Sequence, residues 1–186
     1  MIDTILNYIS GSSVITIVVL ALLSIYFILA IWIFSYKVKQ LNSMIDIEES
    51  SLNDLSMGSQ INPFSKFGQI IESRSLSKEI LNAYEISFVR DASSGLPWLS
   101  IVSTTAPFIG LFGTVIGILE SFAKFSTVSK VSFSVIAPAI SEALVATAAG
   151  IFVAIFAYTF HQITIRKIYE FNTCIKSQID IILARN

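Results

Sequence analysis

The chain is poor in charge, cysteine and histidine, and each shortage closes off a class of function. Only 13% of its 186 residues are Asp, Glu, Lys or Arg, against about a quarter in soluble domains. Cys174 is the sole cysteine, which excludes an internal disulfide and a cysteine-built metal site. His161 is the sole histidine, so it cannot anchor a zinc site with histidine partners. The formal net charge is −1, and no basic stripe is interleaved with aromatics, so nucleic acid is not an expected ligand. No enzymatic chemistry and no bound cofactor are expected.

What stands in place of charge is apolar surface. The chain is 54% hydrophobic, with a mean hydropathy of +0.74. Three runs account for it. Val14–Phe34 holds twenty-one residues without a charge, and a second uncharged run of twenty-eight lies between Asp91 and Glu120. The third lies between Lys130 and Arg166 and contains one formal charge, Glu142. About 20 apolar residues cross a bilayer as a helix, so the chain reads as an all-α membrane protein with three transmembrane helices. The first run is expected to be retained, because residues 1–13 carry no Lys or Arg to form a basic signal region.

The basic residues orient the spans. Six lie between runs one and two, two between runs two and three, and four in the tail. Basic loops stay on the cytoplasmic side, so the expected topology is N-out, C-in. The segments are a periplasmic N-terminus 1–13, transmembrane helix 1 at 14–36, and a cytosolic helical region at 37–95. Transmembrane helix 2 follows at 96–119, a periplasmic turn at 120–132, transmembrane helix 3 at 133–162, and a cytosolic helical tail at 163–186. Helices 2 and 3 thus extend into a cytosolic helical region.

Within that region Ser50–Ser65 is rich in Ser and Asn and reads as a loop. Phe67, Ile70, Ile71, Leu81, Tyr84 and Phe88 recur at helical spacing, and Gly95-Leu96-Pro97 marks the start of helix 2. In the tail, Ile165, Ile168, Asn172, Ile175, Ile179 and Ile182 step by three and four, an a/d seam with Asn172 at an a-type position. Two readings stay open: packing against the 67–88 helix of the same chain, which is favoured, and self-association of tails.

Glu142 is the most informative residue. A carboxylate at the centre of a membrane helix costs about 2.5–3.5 kcal/mol on insertion scales, and its default reading is an ion or proton site facing a bundle interior. At about 100° per residue it shares a face with Val135, Pro138, Ala139, Ala146, Ala149, Gly150 and Val153, while Ile140, Leu144, Ile151 and Ile155 lie opposite. Small stripes let membrane helices approach closely. Helix 2 has a matching small face in Ser103, Ala106, Gly110, Gly113, Thr114 and Gly117. For its glycines, tight packing is the expected role, together with Pro138, Ala146 and Gly150 on helix 3. Membrane hydroxyls such as Ser103, Thr104, Thr105, Thr114 and Thr147 ordinarily bond back to their own helix.

Two segments carry a resemblance. Thr105-Ala106-Pro107-Phe108-Ile109-Gly110-Leu111-Phe112-Gly113-Thr114-Val115-Ile116-Gly117-Ile118 and Ile136-Ala137-Pro138-Ala139-Ile140-Ser141-Glu142-Ala143-Leu144-Val145-Ala146-Thr147-Ala148-Ala149-Gly150 resemble the MotA/TolQ/ExbB proton channel family, and its TolQ/ExbB branch more than the flagellar stators. The resemblance implies a homopentamer in the bacterial inner membrane, built around a single-span partner of the ExbD or TolR type that carries a membrane Asp. It implies a motor driven by the proton gradient that acts on the outer membrane through TonB or TolA. It also assigns Glu142, Thr105 and Thr147 to a polar pore. On an ideal helix Thr147 lies about 140° from Glu142, so sharing one pore requires a bend or an adjacent chain. The chain is short for the family, and Ile116 replaces the aromatic that follows GTV. Two rival readings remain at this point: a structural membrane scaffold, and a self-contained ion channel or transporter.

Overall fold

The computed structural model describes residues 14–58, 65, 68, 77–125 and 133–185. Four helices account for most of them: α1 (Val14–Ser56), α2 (Lys78–Ala92), α3 (Leu96–Phe125) and α4 (Phe133–Arg185). Among the described residues there is no strand. A long apolar run cannot leave backbone N–H and C=O groups unpaired in lipid, and a helix satisfies them within the segment. Three of the helices, α1, α3 and α4, are long and apolar enough to cross a membrane. The chain divides into two compact units, one from Met1–Trp32 and Trp98–Phe160, the other from Ile33–Pro97 and His161–Asn186.

The first unit packs α1, α3 and α4 through small side chains. Its buried positions include Thr16, Val19, Leu23 and Ala30 on α1, Leu99, Val102, Ala106 and Thr114 on α3, and Ala143, Ala146, Val153, Ala154 and Ala157 on α4. The α3 positions step by three, four and eight, and the α4 positions fall within about 100° of arc, which places each set on one face. Phe27 of α1 meets Phe152 and Phe156 of α4, with ring centroids 5.7 and 5.6 Å apart. The bulky residues point outward: Ile25, Ile28, Phe108, Leu111, Phe112, Ile151 and Ile155 are all exposed. In water such a surface is a liability. Against lipid or other membrane helices it is the ordinary arrangement.

The second unit has a conventional aliphatic core. Leu41 and Leu55 of α1, Leu81 and Ala92 of α2, and Ile168, Phe171, Ile175, Ile179 and Ile182 of α4 form one buried cluster, with Phe88, Val89 and Leu96 packed against it. The tail seam therefore packs within its own chain, on α1 and α2. Of the periodic residues expected in the partner helix, Leu81, Tyr84 and Phe88 lie on α2, while Phe67, Ile70 and Ile71 lie outside the described residues. The seam also differs by one position from its sequence reading. Phe171 is buried, Asn172 sits half-buried beside it, and Ile165 is exposed. The large ring of Phe171 takes the buried place, and Asn172 beside it keeps its Oδ1 buried without a hydrogen-bond partner among the described residues, a desolvation cost set against the larger apolar area of the ring.

The turn that ends α2 is built by Gly95, whose φ of +84° lies in the left-handed region that glycine enters without penalty. Pro97 follows in the first turn of α3, where a missing N–H costs nothing. Lys37 of α1 is buried beside this turn and donates to Ser94 Oγ at 2.8 Å and to Gln40 Oε1 at 3.2 Å.

Candidate functional site

The site is built where α3 crosses α4. Gly110 and Gly150 meet backbone to backbone. A Cβ on Gly110 would stand 2.6 Å from the Ala146 carbonyl oxygen, and one on Gly150 would stand 2.6 Å from that of Ala106. Gly113 faces Val19 and Ala146, and Gly117 faces Ala143 and Thr16. Ala146 is fully buried between these elements. Pro138 lies inside α4 on an exposed side, so its ring interrupts the backbone ladder rather than filling the seam.

This close approach brings two hydroxyls together. Thr114 Oγ1 and Thr147 Oγ1 are hydrogen-bonded across the helix pair. Thr114 Oγ1 also lies 2.9 Å from the Ala143 carbonyl oxygen and 3.3 Å from that of Gly110, and Thr147 Oγ1 lies 3.3 Å from the Gly110 oxygen. A hydroxyl has one proton and turns freely to suit its partners. The pair therefore has two complete donor arrangements. In one, Thr147 donates to Thr114 and Thr114 to Ala143. In the other, Thr114 donates to Thr147 and Thr147 to Gly110.

Glu142 is half-buried one residue before Ala143. The buried seam of α4 runs through Ala143, Ala146, Gly150, Val153 and Ala157. At about 100° per residue its centre lies roughly 60–70° from Glu142 on one side and a similar angle from Thr147 on the other. The two residues thus flank one seam, and Thr114 reaches Thr147 from the facing helix. Leu144, Ile151 and Ile155 are exposed on the opposite side of α4.

Thr105 takes a different place. Its hydroxyl donates to the Ile101 carbonyl of its own helix at 2.7 Å, and it lies about 180° around α3 from Thr114. The structure joins Thr147 to Thr114 and not to Thr105. Thr114 is the buried hydroxyl that sequence reasoning left among several ambiguous ones. The available signal was its place within the small face of α3, next to Gly113.

The sequence profile of the MotA/TolQ/ExbB proton channel family matches residues 63–176, a span that takes in all of α2 and α3 and the Glu142 seam. The chain belongs to the MotA/TolQ/ExbB proton channel family. Within it, the chain is 41% identical over 189 aligned residues to a biopolymer transport protein ExbB-like 1 of Helicobacter pylori strain 26695, covering 100% of both chains. It is 50% identical over 62 residues to the Tol-Pal system protein TolQ of Pseudomonas aeruginosa, covering 33% of this chain and 27% of that one. It is 44% identical over 79 residues to the biopolymer transport protein ExbB of Pseudomonas putida, covering 42% and 24%. The short chain is therefore a length shared with a relative of the same family. Family membership and three apolar helices make it a multi-pass membrane protein and a TolQ/ExbB-like energy-transducing subunit.

Proposed function

We propose that the chain is the inner-membrane subunit of a motor driven by the proton-motive force, and that Glu142 is its protonatable residue. The observation that carries this reading is one carboxyl in an otherwise uncharged apolar run, set at the edge of a seam of alanine and glycine. A membrane carboxyl in such surroundings is costly and is ordinarily kept for ion or proton traffic. The Thr114–Thr147 pair supports it, because a hydroxyl pair with two donor arrangements can pass a hydrogen-bond polarity along the seam. Thr105, on the other face of α3, lines the path through a neighbouring copy.

The subunit sits N-out, C-in, as the distribution of basic residues favours. It assembles as a homopentamer around a single-span partner of the ExbD or TolR type and acts on the outer membrane through TonB or TolA. The exposed apolar faces of α3 and α4 supply surface for neighbouring copies and lipid. A loaded and an unloaded Glu142 give the assembly two states whose populations a gradient can bias. Catalysis of covalent chemistry has no part in this function.

The test is Glu142→Gln in cells, read together with co-purification of the partner. Retained co-purification with lost energy-dependent envelope function is the expected result. A scaffold predicts the reverse order of damage. A self-contained channel predicts conduction with no partner present.

A further inference from the structure

The core of the second unit is largely apolar; besides Lys37, Ser65 and Thr164, the buried polar side chains among its described residues meet at one level. On α1, Leu41, Glu48 and Leu55 recur every seven residues, with Ser51 between the last two, and all four are buried. On α4, Ile168, Phe171, Ile175, Gln178 and Ile182 step by three and four, and all are buried. Glu48 and Gln178 thus occupy seam positions whose neighbours above and below are leucine, isoleucine and phenylalanine. Glu48 is 1% exposed, and Gln178 and Ser51 are 0% exposed.

Their hydrogen bonds interlock. Gln178 Nε2 donates to Glu48 Oε2 at 2.9 Å and to the Glu48 carbonyl oxygen at 3.0 Å. Ser51 Oγ donates to Gln178 Oε1 at 3.3 Å. Both donors and the acceptor of the amide are therefore engaged.

An aliphatic pair of similar size would fill these positions without the cost of desolvating a carboxyl and an amide. What such a pair would lack is a preference for one alignment. The flanking residues are branched aliphatics and one ring, and α1 and α4 are helices of 43 and 53 residues. Slipping one past the other by a turn, about 5.4 Å, still sets apolar against apolar along the seam. It sets Gln178 against Met44 and Ile45 or against Leu52 and Leu55, and it leaves a buried amide and carboxyl without each other. A single polar residue at a seam position fixes register in coiled coils by this means.

We propose that Glu48, Gln178 and Ser51 are a register lock, positioning residues that select one alignment of α1 on α4 within the second unit. The lock is independent of the proton reading of Glu142, because its readout is an alignment rather than an activity.

The experiment uses the full chain in nanodiscs, with Cys174 replaced by Ser and spin labels at Lys39→Cys and Asp180→Cys, both exposed positions, offset by about 16 Å along the helix axes so that a slip changes their distance. Labelled chain is diluted with unlabelled chain so that only distances within one chain are read. The parent should give one narrow distance. The apolar pair Glu48→Leu/Gln178→Leu should stay folded, with an unchanged or higher melting temperature, and should add a second distance population from a slip of about 5 Å along the helix. Glu48→Gln keeps an acceptor for Gln178 and should restore the single population. One narrow distance in the apolar pair would overturn the proposal. So would a second population in Glu48→Gln, which would assign the effect to charge rather than to the interlocked amide. Loss of fold in the apolar pair would overturn it as well, because the trio would then be holding the unit together rather than selecting its alignment.

Discussion

Replacing Gly110 with alanine tests the α3–α4 crossing most directly. The new methyl group would stand 2.6 Å from the Ala146 carbonyl oxygen and 3.1 Å from the Cα atoms of Gly150 and Thr147. Ordinary contact begins near 3.4 Å, so the helices must part by about 0.8 Å at this point, and every opposing atom named is backbone. Overpacking of this kind costs about 1–3 kcal/mol, partly offset by about 1 kcal/mol of helix propensity gained on replacing glycine. The separation would also stretch the Thr147–Gly110 contact of 3.3 Å past hydrogen-bonding distance. Gly117→Ala is the control. Its methyl group would meet nothing closer than the Ala143 Cβ at 3.4 Å, so the propensity gain should leave it neutral or slightly stabilised. Gly113→Ala should fall between them, because its close neighbours, a Val19 methyl at 2.9 Å and the Ala146 Cβ at 3.1 Å, are side-chain atoms rather than backbone. Gly150→Ala should match Gly110→Ala. The assay is reversible denaturation in mixed micelles, followed by circular dichroism. If Gly117→Ala were as damaging as Gly110→Ala, or if Gly110→Ala were neutral, the backbone crossing described above would be incorrect.

Two further outcomes follow from the same structure. Thr114→Val removes the bonds to Ala143 and Thr147, and membrane hydrogen bonds average about 0.6 kcal/mol, with a maximum near 1.7. Thr114→Val with Thr147→Val should therefore destabilise by less than the sum of the single changes, in a double-mutant cycle by the same denaturation assay. Burial, and then the charges of Glu49, Glu48 and Glu170, push the Cys174 thiol up. A raised thiol holds less thiolate at neutral pH, so its alkylation should be slower than that of a cysteine peptide, with a pH–rate midpoint displaced upward. Glu49→Gln should move that midpoint back down, and a midpoint at or below that of the free thiol would contradict the assignment.

The transmembrane helices were legible because hydropathy and length are properties of a run, and the bilayer demands both at once. The small faces of α3 and α4 were legible because 3.6-residue periodicity sorts glycine and alanine from leucine and phenylalanine within a single helix. The Thr114–Thr147 pair was not. Its members lie 33 residues apart, and only the crossing at Gly110 and Gly150 decides which hydroxyl reaches which. The tail seam shows the same limit. Its period was readable, but Asn172 and Phe171 are adjacent, and a rotation of one position exchanges them. Gln178 and Glu48 escaped notice because a polar residue in a heptad reads as a break in the apolar pattern, and only the facing helix shows that it has a buried partner.

In the proposed motor Glu142 carries the proton. That role is tested by proton flux into liposomes that contain the chain and its co-purified single-span partner, with a pH-sensitive dye inside and an imposed membrane potential. Flux is expected in the parent assembly and its loss in Glu142→Gln, with partner content and subunit number unchanged. Equal flux from the Glu142→Gln assembly would contradict it.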